Sequence, residues 1–321
     1  MMNSLNTMNK ESRIYIAGHT GLVGSAIYRK LVSEGYSNLL VQTSKQLDLR
    51  IQQLVNRFFE QEKPEYVFFA AGTVGGIMAN ISYPADFIYN NLIMIANVIN
   101  ASYNTGTKKL LYLGSSCIYP KNSNQPIKEE YLLGGVLENT NKPYAIAKLA
   151  GIELCQSFNK QYGTDYICLM PNNLFGINDN YDSENSHLIA ALIRKYFEAK
   201  RNNQSVIKLW GTGKVLREVL SSDELAEACL FFMNNYSGND IINIGSGTEY
   251  YVSDLANIIK EISGYNGTVE YDTSKPDGMY RKKLDTSRAS ALGWNSKADL
   301  IAELLNTYND FARNYEHYCS K

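Results

Sequence analysis

The sequence predicts an α/β fold, a parallel sheet covered by helices on both faces and followed by a smaller lobe. Three observations carry that reading. Short apolar runs alternate with amphipathic stretches from residue 13 onward, and runs this apolar suit parallel strands buried on both faces. A glycine-rich turn follows the first run and opens a helix, which is where such sheets bind phosphate. After Pro171 the loops lengthen and the rhythm breaks, marking a change of architecture in a chain long for one compact core.

The elements follow in order. Strands are expected at 14–17, 39–41, 66–70, 110–113 and 166–170. Between them fall helices ending near Glu34, near Leu54 to Phe59, over 85–103, and starting near Tyr144. Helices around 187–200, 222–235, 252–262 and 298–312 are then mixed with short strands. The expected organisation is a floppy tail over 1–12 and a cofactor domain over 13–172 with a return segment near 212–245. A substrate lobe is expected from 173–211 and 246–321.

Composition narrows the function. The chain is 45% hydrophobic and 20% charged, with net charge −1, so neither nucleic acid nor a membrane is an expected partner. No apolar run is long enough to span a bilayer. The cysteines (Cys117, Cys155, Cys168, Cys229, Cys319) are scattered and odd in number, and His19, His187 and His317 lack ligand spacing. A reducing cytoplasm is expected and a metal site is not.

Gly18-His19-Thr20-Gly21-Leu22-Val23-Gly24 is a GxxGxxG turn. Glycines let the backbone approach a pyrophosphate, and the helix N-terminus offers free N–H groups. Such a turn is weak evidence alone, but its place after the first strand of an α/β alternation predicts a Rossmann-type, doubly wound sheet with a dinucleotide on it. About twenty residues on, an Asp or Glu would bind the ribose of NAD. The residues there are Gln42-Thr43-Ser44-Lys45, which favours NADP(H). Asp48 is placed to accept from the adenine amino group or to cap the next helix.

Tyr144 and Lys148 stand four apart at a helix start, so phenol and ammonium share one face. An ammonium nearby favours phenolate and lowers the phenol pKa. Ser115, at the mouth of the preceding strand, adds a hydrogen-bonding hydroxyl. A lone YxxxK arises by chance; with the upstream glycine turn and the intervening serine, the set predicts proton transfer to a ketone or alcohol.

The stretches IAGHTGLVGSAI, AAGTVGGIMAN, YPADFIYNN, LGSSCIYP, NKPYAIAKLAGIELC, MPNNLFG, NSHLIAALIRK and SKPDGMYRK give the chain a resemblance. It resembles the extended short-chain dehydrogenase/reductase family and, within it, the GDP-L-fucose synthases. That implies reduction by NADPH of the C4 ketone of a GDP-4-keto sugar, with epimerisation at C3 and C5. It implies Cys117 as the epimerisation base and His187 as the acid. Tyr144 would protonate the C4 oxygen, Ser115 would bind it, and Lys148 would hold the nicotinamide ribose. The implied cofactor contacts are Gly18, Thr20, Gly21, Leu22, Val23, Gly24, Ser44, Asp48, Leu49, Ala70, Ala71, Gly72, Tyr144, Lys148 and His187.

For the GDP-sugar the resemblance implies Asn173, Lys195, Trp210, Arg217, Lys275 and Arg281, the cations otherwise reading as solvated surface charge. It also implies a homodimer built from the helix near 85–104 and the one starting at Tyr144. The chain departs from the family at Thr20 and Ser44, where arginines are usual, and at Ser221-Ser222-Asp223-Glu224. These departures leave open a dedicated C4 reductase of a colitose or heptose pathway. A cofactor-binding protein without turnover would lack the tyrosine or the lysine. A dehydratase would carry acidic residues where Ser116 and Cys117 stand.

Overall fold

The structure, a computed structural model, describes residues 7–183, 185–275, 277 and 279–320. The first half runs β1 (Ile14–Ala17), α1 (Leu22–Ser33), β2 (Leu39–Leu40), α2 (Gln52–Glu62), β3 (Tyr66–Phe69), α3 (Ile77–Ser82), α4 (Pro84–Asn104), β4 (Lys109–Leu113), α5 (Lys142–Tyr162) and β5 (Tyr166–Pro171). With the later β9, these strands form a parallel sheet in the order β2-β1-β3-β4-β5-β9.

Alternate strand residues enter two cores, as the two-residue side-chain period requires. Tyr15, Val67, Phe69, Leu110, Tyr112 and Cys168 pack with Val55, Phe59, Val98 and Ile152 of α2, α4 and α5. Ile14, Ile16, Phe68, Leu111 and Ile167 pack on the opposite face. Phe59, Phe68 and Phe69 are essentially fully buried, each worth about 1.5–3 kcal/mol. Helix α5 has Pro143 in its first turn and ends at Gly163, whose φ of +69° suits a left-handed cap.

The second half runs β6 (Asn173–Phe175), α6 (Leu188–Arg201), β7 (Val206–Trp210), β8 (Leu216–Ser221), α7 (Ser222–Asn235), β9 (Ile242–Ile244), β10 (Glu249–Tyr251), α8 (Val252–Ser263), β11 (Thr268–Asp272), β12 (Arg281–Lys282), α9 (Ser287–Ala291), α10 (Leu300–Arg313) and α11 (Tyr315–Cys319). Helix α7 returns to the large sheet, placing Leu225, Phe232 and Met233 in the same core as Ala26, Ile27 and Leu31 of α1. Strand β8 is the hub of a small sheet, pairing with β10, β12 and β6. A third core, with Ile193, Tyr196, Leu255, Leu304 and Phe311, joins α6, α8 and α10.

The expected tail over 1–12 is shorter than the sequence suggested. Met8 is buried in the core that holds α1 and α7, and its N–H donates to Asn234 at 3.0 Å. Further bonds tie the segment down, with the Tyr66 hydroxyl on the Thr7 carbonyl at 3.3 Å and the Ser37 N–H on the Lys10 carbonyl at 3.2 Å; the first six residues lie outside the described ones.

Candidate active site

The sheet changes winding direction between β1 and β3, whose C-terminal ends face a common crevice. Gly18 has φ +88°, and a Cβ there would lie 2.8 Å from the Ala71 backbone; at Gly24 it would lie 2.1 Å from the Gly18 carbonyl. Side chains at either position would separate the turn from Ala70-Ala71-Gly72 or from α1. At the N-cap of α1, Gly21 makes no side-chain cap bond, so Leu22 and Val23 lead a helix terminus able to take an anion. A Cβ on Gly72 would come within 3.9 Å of the Lys148 Nζ, so the bare floor reaches that lysine. These residues fit a dinucleotide.

The adenosine end differs from the sequence reading. Asp48 neither caps α2 nor stands free for adenine: it accepts from the Arg50 backbone N–H at 2.9 Å and from its guanidinium at 2.7–3.2 Å. The neighbouring Arg50 holds its carboxyl below the usual range. Leu49 is buried, and its carbonyl accepts from Asn97 at 2.9 Å. Thr20 and Ser44 are exposed.

Strand β4 delivers Ser115 to the cleft mouth in extended conformation, φ −165° and ψ 148°. Its hydroxyl accepts from the Cys117 N–H at 3.4 Å and hydrogen-bonds both the Tyr144 phenol and the Cys117 thiol. Lys148 is buried, donates to the Leu113 carbonyl at 2.8 Å, and lies 5.8 Å from the Tyr144 ring centre. Burial pulls its pKa down to about 8. Ser115, Cys117, Tyr144 and Lys148 thus converge at the end of β4.

The electrostatic expectation for Tyr144 changes sign, and Cys117 behaves alike. Burial pushes the Tyr144 phenol up, reinforced by Cys117, and the Ser115 hydrogen bond only partly offsets it. Burial also raises the Cys117 thiol against the pull of Lys282, Ser115 and Lys148. Desolvation outweighs the Ser115 hydrogen bond at Tyr144 and the nearby cations at Cys117. Tyr144 therefore keeps its proton until charge develops beside it, and Cys117 is a strong base once ionised.

His187 is the N-cap residue of α6, yet its side chain makes no cap bond. Solvent reaches it, but surrounding protein disfavours the imidazolium and Lys282 lowers its pKa further. Lys282 was missed by sequence reasoning. Its ammonium, itself destabilised by burial, acts on Cys117 and faces Arg217. Thiol and imidazole therefore share one cationic neighbour. The available signal was the Arg281-Lys282-Lys283 run, whose first two residues close the SKPDGMYRK stretch.

The substrate end is more heavily committed than the sequence implied. Arg217 is not a free diphosphate ligand: it donates to Leu216 and Met279 carbonyls at 2.8 and 2.7 Å and to Asp277 at 3.2 Å. It braces the loop behind it. Arg281 forks onto Glu249 at 2.8 and 3.0 Å, so it does not stand free to close over a nucleotide. Lys195 is exposed and donates to the Lys208 carbonyl at 2.8 Å, and Asn173 donates to the Glu218 carbonyl at 2.9 Å. Trp210 and Lys275 do meet, with the ammonium 5.3 Å from the indole centre, and Trp210 is 58% exposed.

A dinucleotide crevice opening onto a serine, a tyrosine and a lysine defines the short-chain class of carbonyl oxidoreductase. The chain belongs to the NAD dependent epimerase/dehydratase family, which matches residues 14–245. It is 51% identical to the putative GDP-L-fucose synthase 2 of Arabidopsis thaliana, over 96% of this chain and 94% of that one. It is 45% identical to the GDP-L-fucose synthase of Escherichia coli, over 97% and 99% respectively. Among solved structures, the GDP-mannoheptose C4 reductase from Campylobacter jejuni with NADP bound superposes with TM-score 0.86 at 39% identity, covering 95% of this chain and 99% of that one.

Proposed function

We propose that this protein is an NADP(H)-dependent epimerase/reductase of a GDP-4-keto sugar, giving a GDP-L-fucose-type product for surface glycans. The supporting observation is that one hydroxyl, that of Ser115, touches both the Tyr144 phenol and the Cys117 thiol. A carbonyl oxygen held there exposes its neighbouring carbons to the sulfur.

Epimerisation comes first. The C4 ketone acidifies the C3 and C5 protons because the carbanion formed is an enolate. Cys117 takes a proton as thiolate, Ser115 and Lys282 favour the negative charge, and His187 returns a proton from the opposite face. Reduction follows: bound NADPH supplies hydride to C4. Tyr144 gives its proton to the C4 oxygen, Ser115 holds that oxygen, and Lys148 orients the ribose while its charge supports the departing proton. Trp210 and Lys275 stack on or cover the GDP end, with Arg217 fixing the loop that carries Lys275.

The enzyme works in the cytoplasm as a homodimer, α4 against α5. Tyr89 and Tyr103 on α4, with Ile146 and Tyr162 on α5, leave apolar surface exposed for a second copy, and light scattering at micromolar concentration tests the dimer. Among the described residues no helix is long and apolar enough to cross a membrane.

The deciding experiment screens GDP-4-keto hexoses and heptoses for oxidation of NADPH and NADH. Turnover of GDP-4-keto-6-deoxy-mannose with NADPH is expected. Turnover confined to a heptose would favour the dedicated C4 reductase, a reading supported by the likeness to the mannoheptose reductase.

A further inference from the structure

Cys117 sits in a turn bracketed by Ser116 and Tyr119, both buried. Each bracket is tied through one buried asparagine to the backbone around β12. The Ser116 hydroxyl donates to Asn172 Oδ1 at 3.3 Å, and Asn172 Nδ2 donates to the Lys282 carbonyl at 3.2 Å. The Tyr119 hydroxyl donates to Asn243 Oδ1 at 2.6 Å, and Asn243 Nδ2 donates to the Asp285 and Ile127 carbonyls at 3.2 and 3.0 Å.

The asparagines come from different strands of the large sheet, Asn172 just beyond β5 and Asn243 within β9. Both are at least nine-tenths buried. Glu218, fully buried on β8, locks the first tie: its carboxylate accepts from Asn172 Nδ2, from the Leu284 N–H at 2.9 Å and from the Gly247 N–H at 2.7 Å. Polar side chains held this deeply persist only when their geometry is satisfied; here the first tie joins the turn that carries the thiol to Lys282 itself, and the second joins it to Asp285, three residues further on, and to Ile127.

We infer that Asn172 and Asn243 form a two-point clamp, locked by Glu218, that fixes the Cys117 turn against the Lys282 strand. They are positioning residues for proton abstraction, an assignment that rests on the epimerase reading proposed above. The charged and titratable groups facing the thiol are Lys282 from β12, Tyr144 and Lys148 from α5, and Tyr112 from β4. Of these, only Lys282 comes from outside the large sheet and its helices. The clamp holds that one cation in place. Releasing it lets Lys282 retreat and leaves burial of the thiol opposed only by Ser115 and Lys148.

The test follows Cys117 directly, by the carbon-13 Cβ shift of labelled cysteine against pH, with the Cys117→Ser protein assigning the signal. Asn172→Ala and Tyr119→Phe each open one tie; the second removes a single hydroxyl and keeps the ring. Each variant is expected to raise the Cys117 midpoint by about half a pH unit, cutting the thiolate fraction near neutral pH about threefold. NADPH affinity should stay unchanged and C3/C5 exchange should slow in step with the midpoint.

Should Asn172→Ala fail to fold, Tyr119→Phe decides alone. A folded Tyr119→Phe protein with the wild-type midpoint overturns the clamp. A wild-type enzyme that exchanges neither C3 nor C5 overturns the epimerase reading instead, while the midpoint still reports on the clamp.

Discussion

The two ends of the cleft are assembled by different rules. At the cofactor end, each functional group rides on a short continuous stretch at a strand end or helix start: residues 18–24, 70–72, 115–117 and 144–148. At the substrate end, single residues arrive from β6, β8 and β12, gathered because β8 pairs with three strands distant in sequence, and from the loop before β12 and β7, which pairs with β11 instead. The first kind of site is fixed by local backbone geometry. The second exists only once the small sheet has formed, and its cations are partly spent on holding it together.

The largest effect should come from the local end. Tyr144→Phe removes the proposed proton donor and is expected to lower turnover roughly a hundred- to ten-thousandfold, leaving NADPH binding intact by fluorescence titration. Near-normal turnover would remove Tyr144 from the chemistry.

Neighbouring residues of β12 sharpen the comparison. Side chains alternate across a strand: Lys282 faces the thiol, while Arg281 turns outward to Glu249. Lys282→Met is expected to slow C3/C5 exchange about tenfold or more, measured by mass spectrometry in heavy water. Arg281→Met should leave exchange near wild type and cost about 1–3 kcal/mol in urea unfolding, because the mostly buried Glu249 loses its partner. Equal effects of the two changes would break the assignment of faces.

A smaller effect concerns pH. Burial lifts the Asp179 carboxyl to about 7, and its Oδ2 lacks a hydrogen-bond partner. Between the unfolded value near 3.9 and 7 the native state binds the extra proton, so stability falls as pH rises through that window. Asp179→Asn should therefore stabilise the fold at pH 8 by on the order of 2 kcal/mol, with the gain gone near pH 4. Urea midpoints at the two pH values check both size and sign.

Legibility followed the same division. The strands at 14–17 and 110–113, the glycine turn, and the Tyr144–Lys148 spacing were readable because hydrophobic runs, glycine and a four-residue repeat are local signals. Lys282 escaped because choosing between it and Arg281 requires knowing which face of β12 meets the cleft. Arg217 and Asp48 were legible as charges but not as occupied ones, since their partners, Asp277 and Met279 for the first and Arg50 for the second, are set by loop geometry. The raised pKa values of Tyr144 and Cys117 could not be read because burial depth, which outweighs the cations, is a property of the packed fold.

In the proposed reaction, Cys117 removes protons beside the same carbonyl that Tyr144 later protonates. Product made from GDP-4-keto-6-deoxy-mannose in heavy water tests this most directly. Wild-type protein should place deuterium at both C3 and C5, and Cys117→Ser should lose that label at least about a hundredfold while still binding NADPH. Unlabelled wild-type product, or undiminished labelling by the serine variant, would contradict it.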